Sequence, residues 1–220
     1  MAERHVRRYP LRQKIDRGVG TVVNGKSRRI ETLALTFDDG PDPVWTPAIL
    51  DALARCRARA TFFVLGSSVR RHPDLVRRIA DEGHTVGVHA EQHTRHTDMT
   101  AREGAADVAT AVEAITTTGV SKPALWRTPW GVESDWTREV AADAGLRIVG
   151  WSADTHDWRG DRADAMFDSV APLLADRAIV LAHDGLGPGA LRADCSETVA
   201  LVGLIAAEAQ ERNLALEPLA

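Results

Sequence analysis

Leu33-Ala34-Leu35-Thr36-Phe37-Asp38-Asp39-Gly40-Pro41 carries an apolar run into two adjacent aspartates and a Gly-Pro turn. The apolar half predicts a short buried strand, and the Gly-Pro pair predicts where it stops. Two carboxylates at the end of a buried strand need a partner. An unpaired charge in an apolar setting is costly, and like charges side by side oppose joint ionisation. A metal ion would meet that need. So would ordinary turn chemistry, with an aspartate capping a helix.

Working outward, strands and helices alternate. Thr46-Pro47 predicts a helix through Ala54, with Thr46 as N-cap and Pro47 at the first helical position. Ala60 to Leu65 predicts a strand closed by Gly66-Ser67, and Pro73 opens a helix that Gly83 ends. Thr85 to Val88 predicts a third strand and delivers His89 at its end. A helix over Ala101 to Thr118, the pair Leu125-Trp126 and a helix over Ser134 to Ala144 follow. Strands at Arg147 to Trp151 and Ala178 to Ala182, a helix from Ser196 to Arg212 and a strand at Leu214 to Leu216 complete the chain. This alternation, roughly seven units of each kind, predicts an α/β fold with a parallel sheet. A barrel is favoured over an open sheet because no nucleotide fingerprint follows the first strand. Residues 1 to 30 are polar and weakly patterned, and predict an extended arm with one strand near Thr21-Val22-Val23. Residues 31 to 220 read as one domain.

Composition narrows the function classes. Across 220 residues, 44% hydrophobic and 26% charged residues are those of a soluble globular protein. The formal charge of −4, with both signs interspersed, gives no basis for a nucleic-acid partner. No apolar run approaches the roughly 20 residues that span a bilayer, so membrane insertion is not expected. The basic stretch Met1 to Lys14 lacks the apolar segment of a secretory signal, so the expectation is a cytoplasmic protein, or a secreted one whose leader is missing. Cys56 and Cys195 are expected to be buried small hydrophobes rather than a disulfide. Nothing in the chain speaks to oligomeric state.

The unusual polar residues fall where chemistry is expected. Asp38, Asp39, His89, Arg127, Asp154 and His183 all come at or just after the C-terminal ends of predicted strands, the catalytic face of a barrel. His89-Ala90-Glu91-Gln92-His93 sets two imidazoles four residues apart, able to face one cation. With Asp39 they make a His₂Asp set with open positions, suited to a borderline metal such as Zn²⁺. His84 and His96 show that the region is also simply rich in histidine. Arg127 needs an anion if buried, or stacks on Trp126 or Trp130 if exposed. A strand-end His183 is as readily structural as catalytic, and Asp154, His156 and Asp157 before Trp158 could be loop polarity.

The order of these segments is more specific than any one of them. Thr-Phe-Asp-Asp-Gly-Pro, His-x₃-His, Arg-x-Pro-Trp, Asp-x-x-Asp-Trp and Leu-x-His together resemble the polysaccharide deacetylases with a NodB-homology domain, carbohydrate esterase family 4. The resemblance spans about residues 33 to 217. It implies a distorted (β/α)7-type barrel of the glycoside hydrolase–deacetylase type. It implies a divalent metal, usually Zn²⁺ with Co²⁺, Ni²⁺ or Mn²⁺ as alternatives, on Asp39, His89 and His93. Asp38 would be the general base for the attacking water and Arg127 its orienting partner. His183 would be the general acid, with Asp157 tuning it. Trp130 would offer its backbone N–H to the oxyanion, and Leu181, Trp158 and Pro129 would help form the substrate site. Ala90 and Thr94 stand where the family has Ser or Thr and Pro, and Thr128 and Trp130 where it has Pro and Tyr. These changes alter the walls of the site but remove no metal ligand or proton carrier.

The expected activity is removal of N-acetyl groups from an N-acetylated amino sugar of chitooligosaccharide or peptidoglycan type. Alternatives are an intracellular amidase for a small N-acylated sugar or metabolite, an O-acetyl esterase, and a silent carbohydrate-binding module.

Overall fold

The computed structural model describes residues 21–23, 26–28 and 30–220. Thr21–Val23 (β1) forms the strand expected there and pairs antiparallel with Lys26–Arg28 (β2). The rest of the expected N-terminal arm, residues 1–20, 24, 25 and 29, lies outside the described residues. Then follow Glu31–Asp38 (β3), Trp45–Cys56 (α1), Thr61–Leu65 (β4), Gly66–Arg71 (α2), Pro73–Asp81 (α3) and Thr85–Ala90 (β5). Ala101–Thr117 (α4), Leu125–Trp126 (β6), Thr137–Ala144 (α5), Arg147–Ile148 (β7) and Ala153–Asp154 (β8) come next. Ala163–Val170 (α6), Ile179–His183 (β9), Ser196–Glu211 (α7) and Leu214–Leu216 (β10) end the chain.

Seven strands form one parallel sheet in the order β7-β6-β5-β4-β3-β9-β8, and β10 adds to the first residues of β3. This curled sheet with helices is the expected α/β distorted barrel. Alternation along β3 sorts its side chains: Leu33, Leu35 and Phe37 join the core between sheet and helices, while Ala34 packs with Phe63 on the inner face. Thr36 and Asp38 have the same parity as Ala34. The chain thus turns Thr36 and Asp38 inward at the C-terminal end of a strand whose outer face there, Leu33, Leu35 and Phe37, is apolar.

The structure departs from the sequence expectations in several places, each with a physical reason. The strand expected over Arg147 to Trp151 pairs only at Arg147 and Ile148. Beyond them, the carbonyls of Val149 and Gly150 accept hydrogen bonds from Arg127 (3.3 and 3.0 Å) instead. Gly66-Ser67 does not merely close a strand; α2 begins at Gly66 with no loop. A Cβ there would collide with Glu91 and the Ala111 backbone, so only glycine allows the helix to start so close. Thr46 is not the cap of α1. The Asp42 carboxylate takes the Val44 and Trp45 N–H groups, and the Thr46 hydroxyl donates to Asp184. Helix α5 begins at Thr137 rather than Ser134, and α6 was not expected. Cys195 is buried as expected, but Cys56 is exposed, and both are free thiols.

Among the described residues, no helix is long and apolar enough to cross a membrane.

Candidate active site

A cleft of ≈410 Å³ opens at the C-terminal ends of the strands, lined by residues that include Asp38, Asp39, His89, His93 and His183. That volume lies toward the small end of cavities that take a ligand-sized molecule. Strand ends set the floor: Asp38 closes β3 and sits in register with His183 of β9.

The two aspartates diverge because the backbone turns between them. Asp38 ends a strand on the inner face, while Asp39 is left-handed (φ 77°), a conformation that aspartate tolerates better than most residues. Asp38 Oδ1 accepts from Arg127 Nη1 at 2.9 Å. Arg127 is fully buried, and its guanidinium is satisfied by Asp38, the Thr36 hydroxyl (2.7 Å) and the carbonyls of Val149 and Gly150. The face of Phe63 lies 4.3 Å from it. Arg127 is thus buried with the anion it needs, Asp38, rather than being a surface residue on Trp126 or Trp130.

Asp39 faces the imidazoles. Its Oδ1 lies 3.3 Å from His89 Nε2 and 3.2 Å from His93 Nε2, yet makes no hydrogen bond although buried. His89 Nδ1 lies 2.7 Å from the Arg127 carbonyl, which can only accept, so Nδ1 carries the proton and Nε2 turns a lone pair toward Asp39. Ligand atoms of Asp39, His89 and His93 all fall within 4.8 Å of one another. One carboxylate oxygen without a donor and two convergent imidazole nitrogens fit a divalent cation, and these residues could hold one. The electrostatics agree. Burial alone would raise the Asp39 carboxyl, but the close His89 ring and the charges of His183 and His93 hold it at about 2. Burial, with the charge of His89, depresses His93 to about 4, so this imidazole is neutral and available at pH 7. Burial also opposes charge on His89, but Asp38 and Asp39 reverse that and raise it.

The other histidines of the region are structural. His84 Nδ1 accepts the Ala60 N–H (3.1 Å), and His96 Nδ1 meets the Thr137 hydroxyl (2.9 Å) between Trp126 and Trp136.

Across the cleft, His183 Nδ1 meets Asp157 Oδ1 at 2.7 Å, leaving Nε2 for the cleft. The other Asp157 oxygen accepts from the His183 N–H, Arg192 Nη1 and the Thr198 hydroxyl (2.9, 2.7 and 2.8 Å). Burial opposes ionisation of Asp157, but His183 and Arg192 more than compensate and hold it well below the usual carboxylate range. Burial likewise opposes charge on His183, and Asp157 overrides it, raising His183 to about 9. Arg127 and Asp157 are not part of the cleft lining; each holds a residue that is, Asp38 and His183 respectively.

Of the residues expected to meet substrate, Trp130, Trp158 and Leu181 line the cleft. Pro129 is buried at the head of the turn Pro129–Gly131 and is not part of the lining; it precedes Trp130, whose φ of 54° swings the indole outward. Asp154 also lines the cleft and accepts the His156 N–H (2.8 Å).

Four residues around the site went unread in the sequence. Asp184 holds the turn of Asp39: its N–H donates to the Asp38 carbonyl (3.1 Å) and its Oδ1 accepts the Gly40 N–H (3.2 Å). Asp107 of α4 accepts the Glu91 and Gln92 N–H groups (2.8 and 3.1 Å), fixing the segment between His89 and His93. Arg192 ties Asp157 to the carbonyls of His183 and Gly185. Arg95 stacks on Trp130. His183-Asp184 adjacency was the one available signal; the others depend on tertiary contacts.

Comparison with known proteins places this geometry. The family model for polysaccharide deacetylase matches residues 25–149. A chitooligosaccharide deacetylase from Bradyrhizobium sp. (strain ANU 289) is 38% identical over 195 residues, 84% of this chain and 87% of the relative. This chain belongs to the polysaccharide deacetylase family. A peptidoglycan-N-acetylglucosamine deacetylase from Listeria monocytogenes is 40% identical over 159 residues, 72% of this chain but 34% of that longer protein. Among solved structures, a family 4 carbohydrate esterase from Streptomyces lividans in complex with acetate superposes with a TM-score of 0.77 at 30% identity, covering 84% of this chain and 91% of that one. Membership in the polysaccharide deacetylase family carries the expected enzyme class with it, a deacetylase-type hydrolase.

Proposed function

We propose that this polysaccharide deacetylase removes N-acetyl groups from an amino sugar in a chitooligosaccharide or peptidoglycan-type glycan. The observation that carries the proposal is the separation of the adjacent aspartates, Asp39 toward two imidazoles and Asp38 toward Arg127, opposite a histidine held by Asp157. Asp39, His89 and His93 would hold a divalent ion, with Zn²⁺ best matched to the donor set and Co²⁺, Ni²⁺ or Mn²⁺ as substitutes. Such an ion, when bound, polarises the acetamide carbonyl and lowers the pKa of water.

The chain's own residues supply the proton transfers and the positioning. Asp38, oriented by Arg127, accepts a proton from the attacking water. The Trp130 backbone N–H donates to the carbonyl oxygen as negative charge develops there. His183 then gives its Nε2 proton to the amine nitrogen as the C–N bond breaks, and acetate and a free amino sugar leave. Asp157 keeps the His183 Nδ1 protonated and the ring turned to the cleft. Trp158, Leu181 and Trp130 flank the sugar.

The cleft of ≈410 Å³ also suits a second substrate class, a small N-acylated sugar or metabolite. An O-acetyl ester would use the same residues. The test is acetate release by the zinc-loaded protein from chitotetraose, a peptidoglycan tetrasaccharide, N-acetylglucosamine and an O-acetylated xylooligosaccharide. Release from the amide-linked glycans supports the proposal. Release confined to the monosaccharide or the ester moves the assignment to that class, and none from any of them, with metal bound, overturns it.

A further inference from the structure

Arg95 lies two residues after His93, and its carbonyl accepts the Asp98 N–H (2.9 Å), which fixes its backbone at the head of a helical turn. Its guanidinium sits over the Trp130 ring, 4.2 Å from the centroid. Trp130 in turn packs edge-on against the His93 imidazole at 4.0 Å. Imidazole, indole and guanidinium thus form one chain of contacts from the metal-ligand candidate His93 to Arg95, which lines the same cleft. Stacking on a flat ring restricts the guanidinium while leaving its N–H edge free to donate.

The charges facing the cleft are otherwise committed. Arg127 is taken by Asp38 and Arg192 by Asp157. Asp39 faces two imidazoles, and Asp154 faces His156. Among the described residues, no carboxylate oxygen lies within 4.0 Å of the Arg95 guanidinium, although the residue is half-buried and lines the same cleft as Asp38 and His183. A preoriented planar fork of this kind matches a carboxylate.

We propose that Arg95 selects substrates bearing a carboxylate on, or directly beside, the N-acetylated sugar. This rests on the deacetylase reading above and narrows its substrate class. A neutral polymer of N-acetylglucosamine offers Arg95 only uncharged acceptors, its hydroxyls and amide carbonyls. A glycan carrying a lactyl ether, or an adjoining uronate, offers it an anion within reach of the sugar whose acetamide meets His89 and His93. The interaction is made in the ground state as well as the transition state, so it acts on KM.

The experiment compares a matched pair on the zinc-loaded protein: a tetrasaccharide of alternating N-acetylglucosamine and N-acetylmuramic acid, and the same molecule with its lactyl carboxylates converted to methylamides. Chitotetraose is the neutral reference. Wild type should favour the acid over the amide by about tenfold in kcat/KM, chiefly through KM, and the preference should shrink as salt rises. Arg95→Gln should bring the ratio near one, and Arg95→Lys should keep part of it. A wild-type ratio near one, or an unchanged ratio in a folded Arg95→Gln, overturns the selection by Arg95. In that event acetate release from chitotetraose still upholds the deacetylase reading, whereas no acetate from any of the three removes both.

Discussion

Asp184 and Gly40 are 144 positions apart, yet the Asp184 carboxylate accepts the Gly40 N–H at 3.2 Å. The same residue's N–H donates to the carbonyl of Asp38, so Asp184 grips the chain on both sides of Asp39. The left-handed backbone at Asp39 is held from outside rather than by its own preference. Asp184→Ala should therefore weaken zinc binding by roughly ten- to a hundredfold, the usual cost of losing an outer partner of a ligand. Asp184→Asn, which keeps an acceptor for Gly40, should lose less. Competition with a chromophoric chelator measures both, and equal zinc affinity in wild type and a folded Asp184→Ala would refute the grip.

The neighbouring aspartates should separate under mutation. Asp38→Asn should cut kcat by about a thousandfold or more while changing zinc affinity less than tenfold, because the amide keeps the shape but cannot take the proton. Asp39→Ala should lose zinc affinity outright. Parallel losses of metal in both variants would show that the two side chains do not divide the work.

The pH dependence follows from His183. As the proposed acid it should lose activity as pH rises through its pKa, raised from 6.5 to about 9 against the opposing effect of burial, chiefly by Asp157. A cation beside Asp39 repels the imidazolium, so the loaded enzyme's alkaline limb should lie at or below pH 9. Asp157→Asn should move that limb down by roughly one to two pH units. The sign for folding is the same: the raised pKa stabilises the fold fully below 6.5, and the stabilisation is lost as pH climbs toward 9. Profiles of kcat/KM for the two proteins decide the matter; an unmoved limb would exclude His183 as the acid.

Thiol chemistry offers an independent check on the packing. Cys56 is exposed at the end of α1, whereas Cys195 is buried and its thiol is pushed up to about 12, chiefly by that burial. One thiol per chain should react rapidly with a disulfide reagent in the native protein, and two after denaturation. Rapid reaction of both in the folded state would contradict the burial of Cys195.

Local pattern made much of this molecule legible. Asp38-Asp39, the His-x₃-His pair and the strand-end histidine announce themselves because residues close in sequence fix their geometry. What escaped were contacts across the fold. Asp107 resembles any acidic residue on a solvated helix face until α4 packs against the loop after β5. Arg192 lies in a Gly-rich loop with no periodicity, and nothing local shows that its fork spans Asp157 and two carbonyls. Helix α6 had a visible signal in Ala163, Met166, Phe167 and Val170, spaced by three and four. The truncation of β7 had none, since it depends on where a buried guanidinium finds its acceptors.

That truncation has a consequence for how the chain can vary. Arg127 reaches Asp38 with one nitrogen and the carbonyls of Val149 and Gly150 with two others, so the gap in the sheet and the aim of Asp38 are set by one rigid plane. The connection from β7 to β8 looks like ordinary surface punctuation, a place where families usually gain and lose residues. Here an insertion or deletion between 148 and 153 would rotate the guanidinium and swing the carboxylate with it. Length at this junction is therefore as constrained as identity is at the cleft.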